Sequence, residues 1–204
     1  MKIIQLVKQL NNTELGKGGT HDTYVLIPNE LDVTDIFHEA NVPIEFWDER
    51  NLLSVTVRNT VGREKRLVGL GQYYRLRDLS IGDEIVFEIR TIGTKTEYRI
   101  HTKKREDIFV VQKAKLGFDI QTRERMSLIE EWMNDGLISM EFLESGKKRN
   151  DSPEETDFYD IKIDGNSLLD NYAGKEYVIF SLTNNKVQVE KFYGWKKHIF
   201  ELED

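Results

Sequence analysis

A glycine-rich segment near the amino terminus, LGKGGTHDTYVLIP at residues 15–28, has the residue types of a binding site. Two adjacent glycines let a backbone approach another molecule closely. The polar side chains around them offer donors and acceptors that reach base edges or phosphates. The segment leads into a strand-like run and lacks the Lys-Ser/Thr ending of a phosphate-binding P-loop. The pattern therefore favours an open binding loop over a site for nucleotide hydrolysis.

Two basic islands follow in a chain whose formal charge is -7. Residues 58–77 and residues 90–105 each hold six Lys+Arg and one Glu, whereas residues 111–204 hold 13 Lys+Arg against 19 Asp+Glu. Such islands are suited to the phosphates of a nucleic acid, and a solvated strand face is the alternative interpretation. Glu64 lies inside the first island. A carboxylate adds nothing to a phosphate patch but can accept a hydrogen bond from cytosine N4, so base reading is favoured there.

Enzymatic chemistry finds weaker support in the residue pattern. The chain has no cysteine, and its four histidines are scattered without the spacing of a metal site. Asp157, Asp160 and Lys162 give a loose version of a metal-dependent nuclease motif, which stays open as an alternative. We predict no catalytic residue, metal or cofactor in this chain. No apolar run approaches a membrane span, and the lack of cysteine fits a cytoplasmic protein.

Short runs rich in β-branched and aromatic residues dominate the first half and predict strands. One such strand is expected over LVGLGQYYRL, and a helix is expected over NELDVTDIFHEA at residues 29–40. After residue 112, TRERMSLIEEWMNDG predicts an amphipathic helix with Thr122 as its N-cap, followed by further strands. The sequence thus predicts a mainly β (α+β) protein with two domains, residues 1–112 and residues 113–204.

The order of these motifs resembles a known family. The Gly-Gly-Thr-His loop, a strand ending in Ile-Pro, and REKRL some distance further along are similar to the EcoRII-type effector-DNA-binding domains of restriction endonucleases. That family includes the recognition domains of BfiI, NgoAVII and LlaJI and shares a pseudobarrel fold with plant transcription-factor DNA-binding domains. The resemblance covers about residues 5–112. It implies a pseudobarrel, which the residue pattern predicts to have about seven strands with one or two short helices. The pattern after residue 112 predicts that a smaller helix-plus-sheet unit follows.

The resemblance also implies a function, which is sequence-specific binding of double-stranded DNA by two arms that enter the major groove. The family's tyrosine on the first arm falls nearer Leu26 than Tyr24, and Gly62 replaces an arginine, so a different target sequence is expected. The expected N-arm residues are Lys17, Gly18, Gly19, Thr20, His21, Asp22 and Tyr24. The expected C-arm residues are Arg58, Asn59, Arg63, Glu64, Lys65 and Arg66. Phosphate contacts are expected from Arg75, Arg77, Lys95, Lys103, Lys104 and Arg105.

The expected partners are therefore double-stranded DNA and a nuclease or motor domain or subunit of a restriction system. Residues 113–204 could extend the DNA contact, bind a protein or dimerise, or connect to that nuclease or motor. Two alternatives to the DNA-recognition module remain, namely the compact metal-dependent nuclease and a protein-interaction module whose basic islands are solvated faces.

Overall fold

The computed structural model describes residues 1–17, 23–148 and 154–202. These residues form a mainly β protein, which confirms the predicted fold class. The chain divides into two compact units, which we call unit 1 (Met1–Arg105 with Tyr193–Asp204) and unit 2 (Glu106–Phe192). The bounds differ from a division at residue 112 because a strand that starts at Ile108 pairs within unit 2 and the last strand of the chain pairs within unit 1.

The described residues of unit 1 form one eight-stranded sheet and one α-helix, α1 (Gly71–Arg77). The order of the strands across the sheet is β15-β1-β6-β7-β3-β4-β5-β2, and only β3 and β7 run parallel to each other. The strands are β1 (Lys2–Gln9), β2 (Val25–Ile27), β3 (Pro43–Asp48), β4 (Leu53–Thr60), β5 (Lys65–Val68), β6 (Glu84–Ile92), β7 (Lys95–Lys103) and β15 (Trp195–Glu201).

Alternation along these strands builds the core of unit 1. In β6, Ile85, Phe87 and Ile89 face the core because side chains alternate between the two faces of a strand. Phe87 meets Phe37 and Phe46 with ring centroids 5.9 and 5.6 Å away, in edge-to-face contacts. The central strands are thereby fixed in register, because a shift of one residue would expose these rings.

A side chain joins the two strands at the ends of the sheet order. Trp195, at the start of β15, donates its indole N–H to the carbonyl oxygen of Leu26 in β2, at 2.9 Å. The same indole stacks on Phe87, with centroids 6.4 Å apart. Because the two end strands are within reach of one side chain, the sheet curls back on itself, as a pseudobarrel-like sheet does.

Two predicted elements of unit 1 differ from the structure, and one strand was not predicted. Residues 29–40 form turns, with one helical turn in which Ile36 and Phe37 donate to the carbonyl of Val33. The predicted strand over LVGLGQYYRL is β5 followed by α1, whose Tyr73 and Tyr74 are buried. β3 was not predicted from PIEFWD. Local propensity was overridden at these places by burial of the aromatic residues.

Unit 2 carries the predicted helix, α2 (Met126–Asn134), whose Ile129 and Trp132 are buried. Thr122 does not cap it, because its hydroxyl accepts the backbone N–H of Val110 at 2.9 Å. The sheet order is β10-β11-β9-β8-β13-β14, with β12 paired to β11. The strands are β8 (Ile108–Lys113), β9 (Phe118–Ile120), β10 (Ser139–Gly146), β11 (Thr156–Ile163), β12 (Asn166–Ser167), β13 (Tyr177–Thr183) and β14 (Lys186–Lys191).

The formal charge follows the two units. Unit 1 holds 18 Lys+Arg and 18 Asp+Glu, whereas unit 2 holds 11 Lys+Arg and 18 Asp+Glu. The net charge of -7 therefore belongs entirely to unit 2. A polyanion would meet less repulsion from unit 1 than from unit 2.

Candidate nucleic-acid interface

The predicted C-arm is the hairpin formed by β4 and β5. Arg58 pairs with Val68 and Thr60 with Arg66 across the hairpin, and residues 61–64 connect the strands. Arg63, Glu64 and Lys65 are exposed at its tip. A two-stranded hairpin with a short connection and charged side chains at its tip can enter a major groove.

Asn59 differs from its C-arm neighbours. It is only 7% exposed because it lies between the outward-facing Arg58 and Thr60 and so turns towards the core. Its Oδ1 has no hydrogen-bond partner among the described residues. The structure therefore separates Asn59 from the exposed C-arm side chains.

The predicted N-arm is described only at its two ends, because Gly18, Gly19, Thr20, His21 and Asp22 lie outside the described residues. Lys17 closes a turn, with its backbone N–H donating to Asn12 at 2.8 Å and its Nζ donating to the carbonyl of Leu79 at 3.0 Å. At the other end, Tyr24 directly precedes β2. Both ends of the arm are thus fixed to the body of unit 1.

A buried ion pair holds the turn that starts the N-arm. Lys8 and Glu14 lie 3.0 Å apart, with side chains that are 5% and 9% exposed. Glu14 also accepts the backbone N–H of Asn11 at 3.1 Å and returns its own N–H to the Asn11 side chain at 2.9 Å. Burial lowers the pKa of Lys8 and raises the pKa of Glu14, and the attraction between the two opposes both shifts.

The two arms meet through adjacent strands. β2 pairs with β5, so that Leu26 lies opposite Arg66 and Ile27 opposite Lys65. The Arg66 guanidinium lies over the Tyr24 ring, 4.0 Å from its centroid. Arg66 also donates Nε–H and Nη2–H to Glu64 Oε2, at 3.2 and 2.6 Å. One arginine therefore contacts a residue of each arm.

Exposed apolar side chains at this junction were not predicted. Leu26 is 43% exposed and Val61 is 51% exposed, and Leu26 lies opposite Arg66. Val25 and Ile27 are buried and Leu26 between them faces outward, because side chains alternate along a strand. All three residues are apolar, so no sequence signal marks the one that is exposed. Such side chains have the chemistry to contact the methyl group of thymine.

Three cations on the C-arm have no side-chain partner among the described residues. Within residues 1–17, 23–148 and 154–202, Arg58, Arg63 and Lys65 make no hydrogen bond or ion pair through their side chains. Arg75, on α1, is also exposed and has no such partner in the described residues. These cations can bind an anion without first breaking an ion pair.

The second basic island is arranged differently. Strand pairing places Glu97 opposite Arg90, Glu88 opposite Arg99, and Glu84 opposite Lys103. Lys95 and Arg99 donate to Glu97 at 2.6 and 2.7 Å, which lowers the pKa of Glu97 to about 2. Arg99 also pairs with Glu49, and Lys103 lies 3.7 Å from Glu84. Carboxylates thus neutralise much of the positive charge of residues 90–105, which form a basic island in the sequence.

The other predicted phosphate contacts are placed variously. Lys104 lies 3.9 Å from Asp78. Arg77 is half-buried, and its guanidinium donates to Asn51 at 2.5 Å and to Thr102 at 3.4 Å. Arg105 donates its backbone N–H to Asp83 at 2.8 Å. Arg77 therefore has a packing role in the structure, whereas Lys104 is at the surface.

Asp160 and Lys162 of the nuclease alternative lie 3.6 Å apart in unit 2, but Asp157 does not join them. Asp157 and Asp160 are three residues apart in β11 and so face opposite sides of the strand. Asp157 accepts a hydrogen bond from Ser145, and Asp160 accepts one from Ser167, both at 2.6 Å. Lys162 lies 2.8 Å from Glu141. In the part of the chain that the structure describes, no three His, Asp or Glu side chains gather in a group that could hold a metal ion.

None of the described helices is both long and apolar enough to cross a membrane. No protein-family model matches the chain, and no curated protein matches it. Among solved structures, the N-terminal domain of Helicobacter pylori LlaJI.R1 is similar to this chain, with 16% sequence identity and a TM-score of 0.31. The match covers 49% of this chain and 80% of that domain.

Proposed function

We propose that this chain binds double-stranded DNA sequence-specifically through two major-groove arms of unit 1, as the target-recognition module of a restriction endonuclease system. The N-arm spans residues 17–24, and the C-arm is the hairpin of β4 and β5. The observation that carries the proposal is the set of exposed C-arm cations, Arg58, Arg63 and Lys65, which make no ion pair within the described residues. They lie on a hairpin that pairs with β2, the strand that directly follows the N-arm.

The charge distribution supports DNA as the ligand. Unit 1 is formally neutral and many of its cations are paired with carboxylates, but three exposed cations on the C-arm have no such pair within the described residues. A hairpin tip that combines arginine, lysine and apolar side chains can contact guanine, phosphate and thymine methyl groups. Arg75 would contact a phosphate directly, whereas the surface lysines Lys95, Lys103 and Lys104 would first have to leave their carboxylate partners. Such phosphate contacts fix the register without reading sequence.

The test compares two double variants that remove the same charge. Arg63→Ala with Lys65→Ala changes the C-arm, whereas Lys115→Ala with Lys186→Ala changes exposed lysines of unit 2 that have no ion pair in the described ranges. Binding to a fluorescent duplex is measured by anisotropy at several salt concentrations. The C-arm variant should bind more weakly and lose about 1 to 2 from the slope of log K against log salt.

The unit 2 variant should bind as the wild type does. Equal losses from both variants would mean that only the total charge matters, and the proposed interface would be wrong. Lys103→Ala should weaken binding to all duplexes alike, because a phosphate contact carries no sequence information.

A further inference from the structure

We infer that Tyr24 is a positioning residue, which together with Glu64 holds the Arg66 guanidinium in one orientation and thereby couples the two arms before DNA binds. The inference rests on the proposed function, because the held arginine is presented to the DNA duplex. It gives Glu64 a different role from the one its sequence position suggests, since Glu64 acts on Arg66 and not on cytosine.

The position of the three residues follows from strand register. Tyr24 precedes β2, and β2 pairs with β5 so that Leu26 lies opposite Arg66. Because side chains alternate along a strand, Tyr24 and Leu26 lie on the same face as Arg66. The guanidinium can therefore cover the tyrosine ring, and its carbon lies 4.0 Å from the ring centroid.

Glu64 fixes the edge of the same guanidinium. Its Oε2 accepts from Nε–H at 3.2 Å and from Nη2–H at 2.6 Å. The ring restrains the guanidinium plane and the carboxylate restrains its rotation within that plane. An exposed ion pair alone restrains an arginine weakly, as both side chains here are exposed, by 39% and 50%. The ring adds the second restraint, which links the pair to the N-arm.

The charge of the pair has a separate consequence. Glu64 neutralises Arg66, so Arg66 is a poor contact for phosphate compared with Arg63 or Lys65. An arginine with a fixed planar fork is instead suited to a base edge, where direction matters more than net charge. Loss of Tyr24 should therefore reduce the preference for one DNA sequence and leave the salt dependence of binding unchanged.

The test compares Tyr24→Leu with Tyr24→Phe, which keeps the ring face. Each variant is titrated with the duplex that the wild type enriches from a random library and with a scrambled duplex. Tyr24→Leu should lower affinity for the enriched duplex by about twofold to tenfold. The variant loses the cation–π contact, and Arg66 must then be ordered when the DNA binds, which costs conformational entropy. Tyr24→Phe should lose clearly less affinity than Tyr24→Leu does, because it keeps the ring, and neither variant should change the salt slope.

A second measurement needs no DNA. In ¹⁵N-labelled protein, the Arg66 Nε–H signal should be resolved and exchange slowly with water in the wild type and in Tyr24→Phe. It should exchange faster in Tyr24→Leu and in Glu64→Gln. Fast exchange in the wild type, or full specific affinity in Tyr24→Leu, would overturn the inference.

Failure of the proposed function would look different. If the wild type enriches no sequence at all, the DNA role of Tyr24 falls together with the proposed function. If the wild type enriches a sequence that Tyr24→Leu binds equally well, only the coupling role falls.

Discussion

Burial and pairing decide what individual charged residues of unit 1 can do. The exposed cations of the C-arm are available to a ligand, whereas Lys8 and Glu14 are removed from water and are bonded to each other and to nearby backbone groups. Burial of the Lys8 and Glu14 charges costs free energy, and the pair lies where the turn of the N-arm begins. That location suggests that the pair defines the position of the arm more than it stabilises the fold.

Lys8→Met should destabilise the protein by about 3–5 kcal/mol, because it leaves the Glu14 carboxylate buried without its partner. The double variant Lys8→Met with Glu14→Leu should be much less destabilised, since no charge remains buried. Urea unfolding measures both. Lys2→Met, at an exposed position, is the control and should change stability by less than about 0.5 kcal/mol. A double variant as unstable as the single one would contradict this account of the pair.

His101 should make stability depend on pH. Burial lowers its pKa below 6.5, although Glu88 opposes the shift. The unfolded chain therefore binds more protons than the folded chain in mild acid, and stability is lost as the pH falls through about 6.5. His101→Gln should remove this part of the loss, which urea midpoints at about pH 7.5 and about pH 5.5 would show. Equal losses in the variant and the wild type would rule out His101 as the cause.

At the scale of elements, β15 connects distant parts of unit 1. It pairs with β1 along its length, and its Trp195 reaches β2, the strand that follows the N-arm. The last strand of the chain thus stabilises the base of an arm that lies near the beginning. Such a contact joins residues 169 positions apart and cannot be predicted from local pattern.

Trp195→Phe should cost about 0.5–1.5 kcal/mol, because the ring can still stack on Phe87 but the N–H donor to Leu26 is lost. Trp195→Ala should cost more, since the stacking is lost as well. Thermal unfolding followed by far-UV circular dichroism measures the change. Trp47→Phe, at a residue that is 42% exposed, should have little effect. An equally large effect of Trp47→Phe would assign no special role to the bridge between β15 and β2.

The elements also show what local sequence could predict. The mainly β class and α2 were predictable because both depend on local patterns. These are the alternation of apolar and polar residues along strands and the helical spacing of apolar residues in MSLIEEWMN. The C-arm cations were predictable as a cluster for the same reason. The prediction of a strand over LVGLGQYYRL was wrong. Tyr73 and Tyr74 have high strand propensity, but in the structure they belong to α1 and are buried. The neutralisation of Lys95 and Arg99 was not predictable, because Glu97 and Glu49 reach them through the fold and the sheet register.

At the scale of the whole molecule, the proposed DNA binding belongs to unit 1, whereas the net charge of -7 belongs to unit 2. Trp132 is the largest fully buried side chain of unit 2, so Trp132→Ala should destabilise that unit by about 3–5 kcal/mol. The two remaining tryptophans, Trp47 and Trp195, belong to unit 1, so fluorescence then reports unit 1 alone.

DNA affinity in this variant should persist as long as the tryptophan fluorescence stays native, even where circular dichroism shows that β structure has been lost. Loss of DNA binding while the fluorescence remains native would instead place part of the interface in unit 2.

The most direct measurement is selection of bound duplexes from a randomised library by the wild-type protein, with unmethylated and methylated DNA in parallel. The account predicts that a short sequence motif is enriched and that the enrichment is lost when Arg63 and Lys65 are replaced by alanine. Binding without any enriched motif, or enrichment that the alanine variant retains, would contradict a sequence-reading role for the two arms.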